Sequence, residues 1–506
     1  MESLFDPQAA TRCSSELALR VYTSRLLGGD YGLAACGGGN TSVKIMEDGE
    51  DILYVMSGDT DLDKVGAADF APLRLVEVRR LFERDALDNN RLNAALGAAL
   101  KCPDAPRPPL ETLLHAILPF KWVEHTYADA VLALADTVRA ETHIRAAFGA
   151  VVLVVPYRQS GFELAQACHD IFARQATHET IGMVLPHHGL FTFGDSARDS
   201  YERMIGLVSR AEDYLKSHGA WDIPLRFPLA GAALPAHGGT PASLALAALR
   251  RDLSRAAGFP LILSVFSDLF SLAFARRPDL SSLALRGPAT PRHAIFTKRL
   301  PLLGRDVAAY AEAYRRYLAE NAPADAPRLP DPAPRIVLDP QWGLCAAGVN
   351  AHYARAAGEI AQHALRIMSR AEALDAYASL PPREVLATEI EQGGFEEKVR
   401  RRDPLSGQVV LVADAVACKD ETTALLERGA AVIGLDRDAA VVSLHGHPAF
   451  HGLVCDSDDP TAIGAALELG VRAYGGIDRL VGGNALLRDA CRPLLALSPV
   501  LAGAST

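Results

Sequence analysis

The stretch EHTYADA (residues 124–130) reads as the end of a β-strand and places a histidine and a tyrosine two positions apart. Alternate residues of a strand point to the same face about 7 Å apart, so we expect His125 and Tyr127 to face one space. With histidine at both positions, this spacing would supply two ligands to a metal ion. Tyr127 could instead be a proton donor beside a metal held by other groups, or a packing residue.

Two further stretches carry groups able to bind a metal or move a proton. PHHGL (186–190) follows a β-rich run, and PPLETLLHAILP (108–119) begins a predicted helix from whose first turn Glu111 can project its carboxylate. Taken singly, His125 and His188 could be core histidines, and Glu111 could be a charge favoured by the helix macrodipole. The order and spacing of the whole set favour a shared chemical role.

Two glycine-containing stretches could bind an anion. CGGGNTSVK (36–44) offers backbone N–H groups that can converge on an anion, with side-chain donors beside them, and MSGDTDL (56–62) runs from a strand into a Ser-Gly turn. A tight turn without a ligand would also explain each stretch on its own. The candidate anion-binding residues are Gly39, Asn40, Thr41, Ser57 and Gly58.

The elements that must position these residues indicate an α/β domain. Up to about residue 220, helical stretches such as APLRLVEVRRLFERDAL alternate with β-rich runs such as DILYVMSG, AVVLVVPY and IGMVLPHHGLFTF, which favours a central sheet. Proline- and glycine-rich stretches then divide the chain at 222–243, 321–335 and 401–407. We predict domains over residues 1–225, 226–400 and 401–506.

An internal repeat links the first two domains. Residues 183–215 and 336–374 share VL, then GL, then a glycine four positions after that leucine, then a helix ending in SRAE, with six more residues in the second helix. Chance similarity between strand-turn-helix units is the alternative explanation. In the second copy Gln341 and Trp342 stand where the first has His187 and His188, so it cannot repeat any histidine chemistry.

Composition excludes several classes of protein. The 506 residues are 49% hydrophobic and 22% charged, with a formal charge of −10 and no basic run beyond KVRRRD, so no nucleic-acid partner is expected. Eight cysteines without a CxxC pair argue against a zinc ribbon or a disulfide framework. No signal peptide and no membrane-spanning stretch are recognised, so a cytoplasmic protein with no membrane partner is expected.

The order GGGN, SG, an E-x-x-x-H helix start, an H-x-H-like strand end and HHG resembles the class II aldolase/adducin family, and within it the long bifunctional rhamnulose-1-phosphate aldolase/alcohol dehydrogenases. The resemblance extends through RGPATPRHAIFTKRLPL (286–302), DPAPRIVL (331–338) and the C-terminal segment. It implies a class II aldolase-type α/β/α domain with a central mixed sheet, a middle α/β segment that partly repeats it, and a truncated Rossmann-like C-terminal domain. It also implies a small-molecule substrate and a homo-oligomer.

In sugar-phosphate aldolases of this family three histidines hold zinc and a glutamate acts as acid and base. The resemblance therefore implies that His125, His188 and Glu111 are metal ligands, that Glu111 is also catalytic, and that Tyr127 replaces a histidine. Asn40, Thr41, Ser57 and Gly58 would hold the substrate phosphate. The implied reaction is aldol cleavage through an enediolate, whose charge a divalent metal, with zinc expected, stabilises.

Two positions depart from the family pattern. A phenol must lose a proton to become a good metal ligand, which costs about 4 kcal/mol at pH 7, so Tyr127 predicts weaker metal binding or a different metal. Pro109 stands where family aldolases commonly carry a phosphate-binding serine, which favours a carboxylate-bearing or unphosphorylated substrate. Two alternatives therefore stay open: an adducin-like binding or assembly protein without catalysis, and a metal-dependent decarboxylase or epimerase.

The C-terminal segment predicts a doubly wound parallel sheet, because QVVLVADAV, AAVIGLDRD, HGLVCDSDD and GIDRLVGGNAL alternate with helical stretches. It resembles the start of a short-chain dehydrogenase, with Asp436 after the second strand. Residues 413–420 contain no glycine, although a dinucleotide-binding turn needs several, and no Tyr-x-x-x-Lys pair follows before Thr506. We therefore expect a domain that does not use NAD(P), and no dehydrogenase activity.

Overall fold

The computed structural model describes residues 1–34, 38–58, 60–84, 87–223, 241–323, 326 and 328–499, and of residues 391–395 the backbone only. The chain forms two compact units, Met1–Ile223 with Arg366–Ser379 and Pro224–Leu365 with Leu380–Thr506. The boundaries of the three predicted domains stay a prediction.

The first unit alternates helices with the strands of one sheet. Its helices are α1 (Pro7–Thr11), α2 (Glu16–Gly28), α3 (Leu75–Arg80), α4 (Asn89–Ala98), α5 (Thr112–Ile117), α6 (Asp129–Ala135), α7 (Ala140–Phe148), α8 (Phe162–Gln175) and α9 (Ala197–Ser217), with 3₁₀ turns at Ala67–Asp69, Leu81–Glu83 and Gly149–Val151. Its strands are β1 (Asn40–Glu47), β2 (Glu50–Met56), β3 (Phe70–Arg74), β4 (Trp122–Thr126), β5 (Val152–Val154), β6 (Gly182–Leu185) and β7 (Gly189–Gly194). Serine side chains begin two of the helices: Ser15 accepts from an N–H of α2, and Ser196 from one of α9, which satisfies donors that a helix start leaves unpaired.

The seven strands form one mixed sheet in the order β3-β2-β1-β4-β7-β6-β5. All neighbours are antiparallel except β5 and β6. The start of β1, the end of β2, the end of β4, the end of β6 and the start of β7 therefore lie at the same edge of the sheet, which we call the site edge.

Alternate residues of the sheet face two different layers of helices. Phe191 and Phe193 of β7 pack with residues of α5 and α8, whereas Leu190 packs with residues of α6 and α9, as the two-residue period of a strand requires. Strands β4, β6 and β7 are buried at every position. The predicted α/β fold with a central mixed sheet between helices is confirmed.

The second unit contains the remaining elements. Its helices are α10 (Ala242–Ala257), α11 (Leu269–Ala275), α12 (Leu280–Ala284), α13 (Pro291–Thr297), α14 (Val307–Asn321), α15 (Ala351–Leu374, of which the part from Arg366 belongs to the first unit), α16 (Pro382–Arg402), α17 (Lys419–Glu427), α18 (Pro460–Tyr474) and α19 (Ala485–Leu495), with a 3₁₀ turn at Ala439–Ser443. Its strands are β8 (Ile262–Phe266), β9 (Leu302–Leu303), β10 (Ile336–Asp339), β11 (Gly343–Gly348), β12 (Val409–Ala413), β13 (Ala431–Asp436), β14 (Phe450–Val454) and β15 (Arg479–Val481). Among all the described helices, none combines the length and the apolar character needed to span a membrane.

Two four-stranded sheets share one hydrophobic core in the second unit. One has the order β8-β11-β10-β9, and the other, β14-β13-β12-β15, is entirely parallel, as predicted for a Rossmann-like segment. The core joins residues of both sheets, such as Ile262 and Ile433. Arg250 Nη2 and Asp478 Oδ2 lie 2.6 Å apart in this core with almost no solvent exposure, and Asp478 also accepts from Val409 N.

The two copies of the sequence repeat have the same order of elements. One is β6, a turn, β7 and α9, and the other is β10, a turn, β11 and α15. Leu185 pairs with Gly189 and Asp339 with Gly343, so three residues form each turn. Gln341 and Trp342 therefore occupy the positions of His187 and His188, as the sequence predicts.

Candidate active site

The site edge brings together four of the predicted site residues. Asn40 begins β1 and pairs with His125 of β4. Tyr127 follows the last residue of β4, and His188 immediately precedes β7, the other neighbour of β4. Side chains that are far apart in the sequence thus meet at three adjacent strand ends.

The turn between β6 and β7 holds His188 in a buried position. The residue is 2% exposed, and its Nε2 has no hydrogen-bond partner in the described part of the chain. Burial lowers the pKa of His188 below its usual value, although the charge of Glu111 acts to raise it. The imidazole is therefore neutral at physiological pH. A neutral imidazole nitrogen can bind a metal or accept a proton.

Two backbone features shape this turn. Gly189 has a φ of 114°, and a Cβ there would lie 2.3 Å from the carbonyl oxygen of Thr126, so the turn requires glycine. The backbone N of His187 donates to Asp136 Oδ1 at 2.9 Å, and His187 Nδ1 lies 3.1 Å from the same oxygen. Burial raises the pKa of Asp136 well above its usual value, although the hydrogen bond from the backbone N–H of His187 acts to lower it. No sequence pattern points to Asp136, which lies 51 residues before the turn it holds.

His125 lies between two other rings. It stacks on Phe191 with centroids 4.2 Å apart, and the nearly parallel ring of His188 lies 5.0 Å away. Its Nε2 donates to the backbone oxygen of His188 at 3.0 Å, because a carbonyl only accepts. The ring of Tyr127 lies 5.0 Å from His125 and 5.9 Å from His188, so His125 and Tyr127 share one space, as their spacing predicts.

Glu111 stands at the N-cap position of α5 without a capping hydrogen bond from its side chain, and its Oε1 lies 3.9 Å from His188 Nε2. Two ligand atoms of a tetrahedral zinc lie about 3.4 Å apart, so this pair would have to close by about 0.5 Å. His125 would have to exchange the carbonyl bond of its Nε2 for the metal. Among the residues that the structure describes, no group of three or more His, Cys, Asp or Glu side chains is arranged as a metal site. A metal would therefore fit the pair His188 and Glu111 after a closure of about 0.5 Å, and His125 would join it only after a change of partner.

Asn40 is held by a histidine of α5. His115 is fully buried, with Nε2 2.7 Å from Asn40 Oδ1 and Nδ1 2.8 Å from Ser42 Oγ. Burial, followed by the charges of Lys44 and Arg20, lowers the pKa of His115 to about 3. The E-x-x-x-H pattern was the sequence signal that could have identified this residue.

Thr41 lies on the other face of β1. It is fully buried, and its hydroxyl is 2.8 Å from Ser24 Oγ. Beside it, Arg20 Nη2 donates to both carboxylate oxygens of Glu124, at 2.9 and 2.7 Å, with neither side chain exposed. The hydroxyl of Thr41 is thus engaged in the core, and its role in anion binding stays a prediction.

The glycine loop passes close to β4. Gly39 has a φ of 90°, and a Cβ there would lie 2.3 Å from the carbonyl oxygen of His125, so glycine is required at this approach. Residues 36 and 37 of the predicted loop lie outside the described residues. The convergence of the loop N–H groups on an anion stays a prediction, since the structure describes this loop only from residue 38 onward.

The second predicted anion-binding turn follows β2. Continuing the pairing of β1 with β2 places Ser57 beside Asn40. Ser57 is buried, and its backbone N donates to Asp69 O at 2.9 Å, while Gly58 is exposed. Ser57 therefore joins Asn40 at the site edge, and the anion-binding role of both stays a prediction.

Family comparison agrees with this architecture. The model of the "Class II Aldolase and Adducin N-terminal domain" matches residues 18–215, and the model of "Aldolase class II, second domain" matches residues 240–397. The chain belongs to the class II aldolase/adducin family. The first match contains every residue of the candidate site, and the second contains the β10–β11 turn of the repeat.

This chain is similar to several known proteins. An uncharacterized oxidoreductase of Bacillus subtilis (strain 168), YuxG, is 25% identical over 546 residues, covering 96% of this chain and 75% of the relative. The N-terminal class II aldolase domain of a conserved protein from Thermoplasma acidophilum is 34% identical, covering 42% of this chain and 99% of the other, with a TM-score of 0.39. A sugar-phosphate aldolase from Thermotoga maritima is 15% identical, covering 40% and 95%, with a TM-score of 0.30.

The order β14-β13-β12-β15 of the C-terminal sheet corresponds to the first four strands, 3-2-1-4, of a six-stranded dinucleotide-binding fold. Asp436 ends β13, but its Oδ2 accepts from Val416 N and its Oδ1 from Asp438 N, both at 2.9 Å. A ribose hydroxyl would have to compete with these backbone donors for the carboxylate. That this domain does not use NAD(P) stays a prediction.

Proposed function

We propose that this member of the class II aldolase/adducin family is a divalent-metal-dependent lyase that cleaves a carbon–carbon bond beside a carbonyl group. The observation that carries the proposal is the buried Nε2 of His188, without a hydrogen-bond partner among the described residues and 3.9 Å from Glu111. A buried polar atom without a partner costs about 1–3 kcal/mol of stability, which a bound ligand would offset. An imidazole and a carboxylate together suit zinc.

Each side chain has a role in this proposal. His188 and Glu111 would hold the cation, with His125 as a third ligand. When bound, a divalent cation stabilises negative charge that develops on substrate oxygens. Glu111 is partly exposed and can accept a proton from the substrate hydroxyl and return it to carbon. Tyr127, with its ring 5.0 Å from His125, would be a second proton donor.

The proposed substrate is a small hydroxy-carbonyl compound or a sugar-phosphate-like compound bearing an oxyanion. Asn40 and Ser57 supply uncharged side chains at the site edge, where an oxyanion would accept their hydrogen bonds. Pro109 removes one donor from the family pattern, and the hydroxyl of Thr112 does not replace it, since it donates to the backbone oxygen of Pro109 at 2.6 Å. A carboxylate is therefore as well suited to this site as a phosphate.

The metal requirement is tested by elemental analysis of the purified protein before and after soaking with zinc. We expect about one divalent ion per chain, and a large loss of that ion in His188→Ala. The metal-loaded protein is then incubated with a panel of sugar phosphates and hydroxy-keto acids, which separates aldol cleavage from decarboxylation and epimerisation. A protein that takes up no metal after the soak would rule out the proposed mechanism.

Tyr127 at the position of a family histidine favours a second candidate, an adducin-like protein that binds or assembles without catalysis. Glu111→Gln discriminates between the two, because it removes the proposed acid and base while keeping the size of the side chain. A metal-dependent lyase loses its activity on the panel, whereas an assembly protein keeps the properties of the unmodified chain. Gel filtration tests the homo-oligomer that both candidates predict.

A further inference from the structure

The proposed function leaves one residue of the E-x-x-x-H pattern without a role. His115 has no solvent exposure, and its ring meets Phe191 edge-on at 5.8 Å. Both of its nitrogens lie within hydrogen-bond distance of β1 side chains, Nε2 at 2.7 Å from Asn40 Oδ1 and Nδ1 at 2.8 Å from Ser42 Oγ. The ring thus joins a fully buried hydroxyl to an amide at the site edge.

The partners determine which nitrogen carries the proton. The atom of Asn40 that faces Nε2 is the amide oxygen, which only accepts hydrogen bonds, so in this arrangement Nε2 donates to Asn40. In a neutral imidazole Nδ1 is then an acceptor, and the hydroxyl of Ser42 donates to it. The low pKa of His115, about 3, keeps this neutral form throughout the physiological range.

We propose that His115 is a positioning residue that fixes the amide of Asn40, so that its NH₂ group, rather than its oxygen, is presented to an oxyanion of the substrate. The inference rests on the proposed function and names the ligand class that the site edge would hold: a phosphate or carboxylate bound by uncharged donors. Ser42 lies on the same face of β1 as Asn40 and contacts the far side of the His115 ring. We call the chain of contacts Ser42–His115–Asn40 the relay. Ser42 acts on the ligand only through the ring.

The chemistry of the reversed arrangement shows why such a relay matters. If the amide of Asn40 turned over, its oxygen would face the oxyanion, and the site would lose a donor and gain a repulsion. An asparagine without a fixed partner can adopt either orientation, because the two ends of an amide have nearly the same shape. His115 and Ser42 would make one of them the stable form.

The protonation pattern is tested by nitrogen NMR of the full chain labelled at histidine, with His115→Phe used to assign the signal. We expect the resonances of a neutral ring protonated at Nε2, unchanged between pH 5 and 8. A ring protonated at Nδ1, or at both nitrogens, overturns the inference. The readout does not depend on activity.

Binding is tested with inorganic phosphate in one arm and acetate in the other, by calorimetry. We expect His115→Phe to weaken binding about tenfold and Ser42→Ala about threefold, each through loss of one link in the relay. His115→Gln should recover part of the affinity, since its amide can still donate to Asn40. Thr192→Val is the control, because it removes another fully buried hydroxyl, which donates to Ser200 O, and should leave affinity unchanged.

The outcomes separate the inference from the proposed function. His115→Phe and Ser42→Ala proteins that stay folded and bind phosphate like the unmodified chain overturn the positioning role. An unmodified chain that binds neither anion also overturns it, but leaves metal-dependent cleavage to be decided by the substrate panel. Anion binding that depends on the relay in a chain inactive on the whole panel supports the inference and rejects the lyase.

Discussion

The two turns of the internal repeat have the same length and the same strand pairing, but one carries two histidines and the other a glutamine and a tryptophan. In the turn of residues 340–342 the ring of Trp342 is covered by the guanidinium of Arg305, 3.7 Å from the ring centroid. Arg305 also donates to both oxygens of Asp339, at 2.8 and 3.2 Å. Arg305 and Asp339 are thus paired with each other. The indole Nε1 of Trp342 is buried without a hydrogen-bond partner among the described residues, and as a donor only it cannot bind a metal.

The turn of residues 186–188 is built differently. His188 is as deeply buried as Trp342, and its Nε2 likewise lacks a hydrogen-bond partner in the described ranges. Unlike an indole N–H, an imidazole nitrogen can bind a metal, and the carboxylate of Glu111 lies 3.9 Å away. The tryptophan turn shows that this backbone forms without histidines. The difference supports the proposed role of His188 as a metal ligand, whereas Trp342 packs in the core.

The largest expected effect is on the turn of residues 340–342. Trp342→Ala should lower the free energy of unfolding by about 3–5 kcal/mol, because it leaves a large cavity in a buried core. Denaturation followed by circular dichroism measures this change, and zinc binding should stay as in the unmodified chain. A loss below about 1 kcal/mol would show that the cavity collapses and that Trp342 is not a core residue in this sense.

The matching change in the turn of residues 186–188 should affect zinc affinity and the free energy of unfolding differently. We expect His188→Phe to weaken zinc binding about 100-fold, since it removes a proposed ligand. The same change should keep or raise the free energy of unfolding, by up to about 1 kcal/mol, because it removes a buried nitrogen without a partner. Calorimetric zinc titration and urea unfolding measure the two quantities, and unchanged zinc affinity would contradict the comparison.

Buried histidines should also make the first unit sensitive to acid. An unfolded histidine takes up a proton below about pH 6.5, whereas burial lowers the pKa of His115 to about 3. The unfolded state then binds more protons, so stability falls as the pH falls. Between pH 7 and 5 the unmodified chain should lose about 2 kcal/mol more unfolding free energy than His115→Phe. Urea unfolding at each pH measures this difference. If the unfolding free energies of the two proteins change with pH at the same slope, the ring is not neutral and buried.

The smallest expected effect comes from restoring the family residue at the end of β4. Tyr127→His should raise zinc affinity about tenfold by adding an imidazole to the site. Calorimetric titration measures this change, with Tyr127→Phe as the control for loss of the hydroxyl alone. An unchanged affinity in Tyr127→His would assign Tyr127 to packing.

Much of the candidate site could be predicted from short-range patterns. The strand-end reading of EHTYADA, the PHHGL turn and the helix start at Glu111 rest on neighbours within a few residues, and the structure places His125, His188 and Glu111 close together. The correspondence of His188 with Trp342 followed from repeat spacing alone. Each of these predictions needed only the two-residue period of strands and the punctuation of turns.

The features that escaped prediction depend on contacts between distant segments. Asp136 holds the turn at His187 from 51 residues away, and no local pattern signals that contact. Thr41 was grouped with Asn40 as part of one loop, but β1 already begins at Asn40, so the two side chains face opposite sides of the sheet. The bond from His125 Nε2 to a backbone carbonyl likewise depends on tertiary packing.

The most direct test of the account is anomalous diffraction at the zinc edge from crystals of the full chain soaked with zinc. We predict one peak per chain, within coordination distance of His188 Nε2 and a Glu111 carboxylate oxygen, and none beside Trp342. A zinc ion bound elsewhere, or a soaked crystal with no peak between His188 and Glu111, would contradict the account.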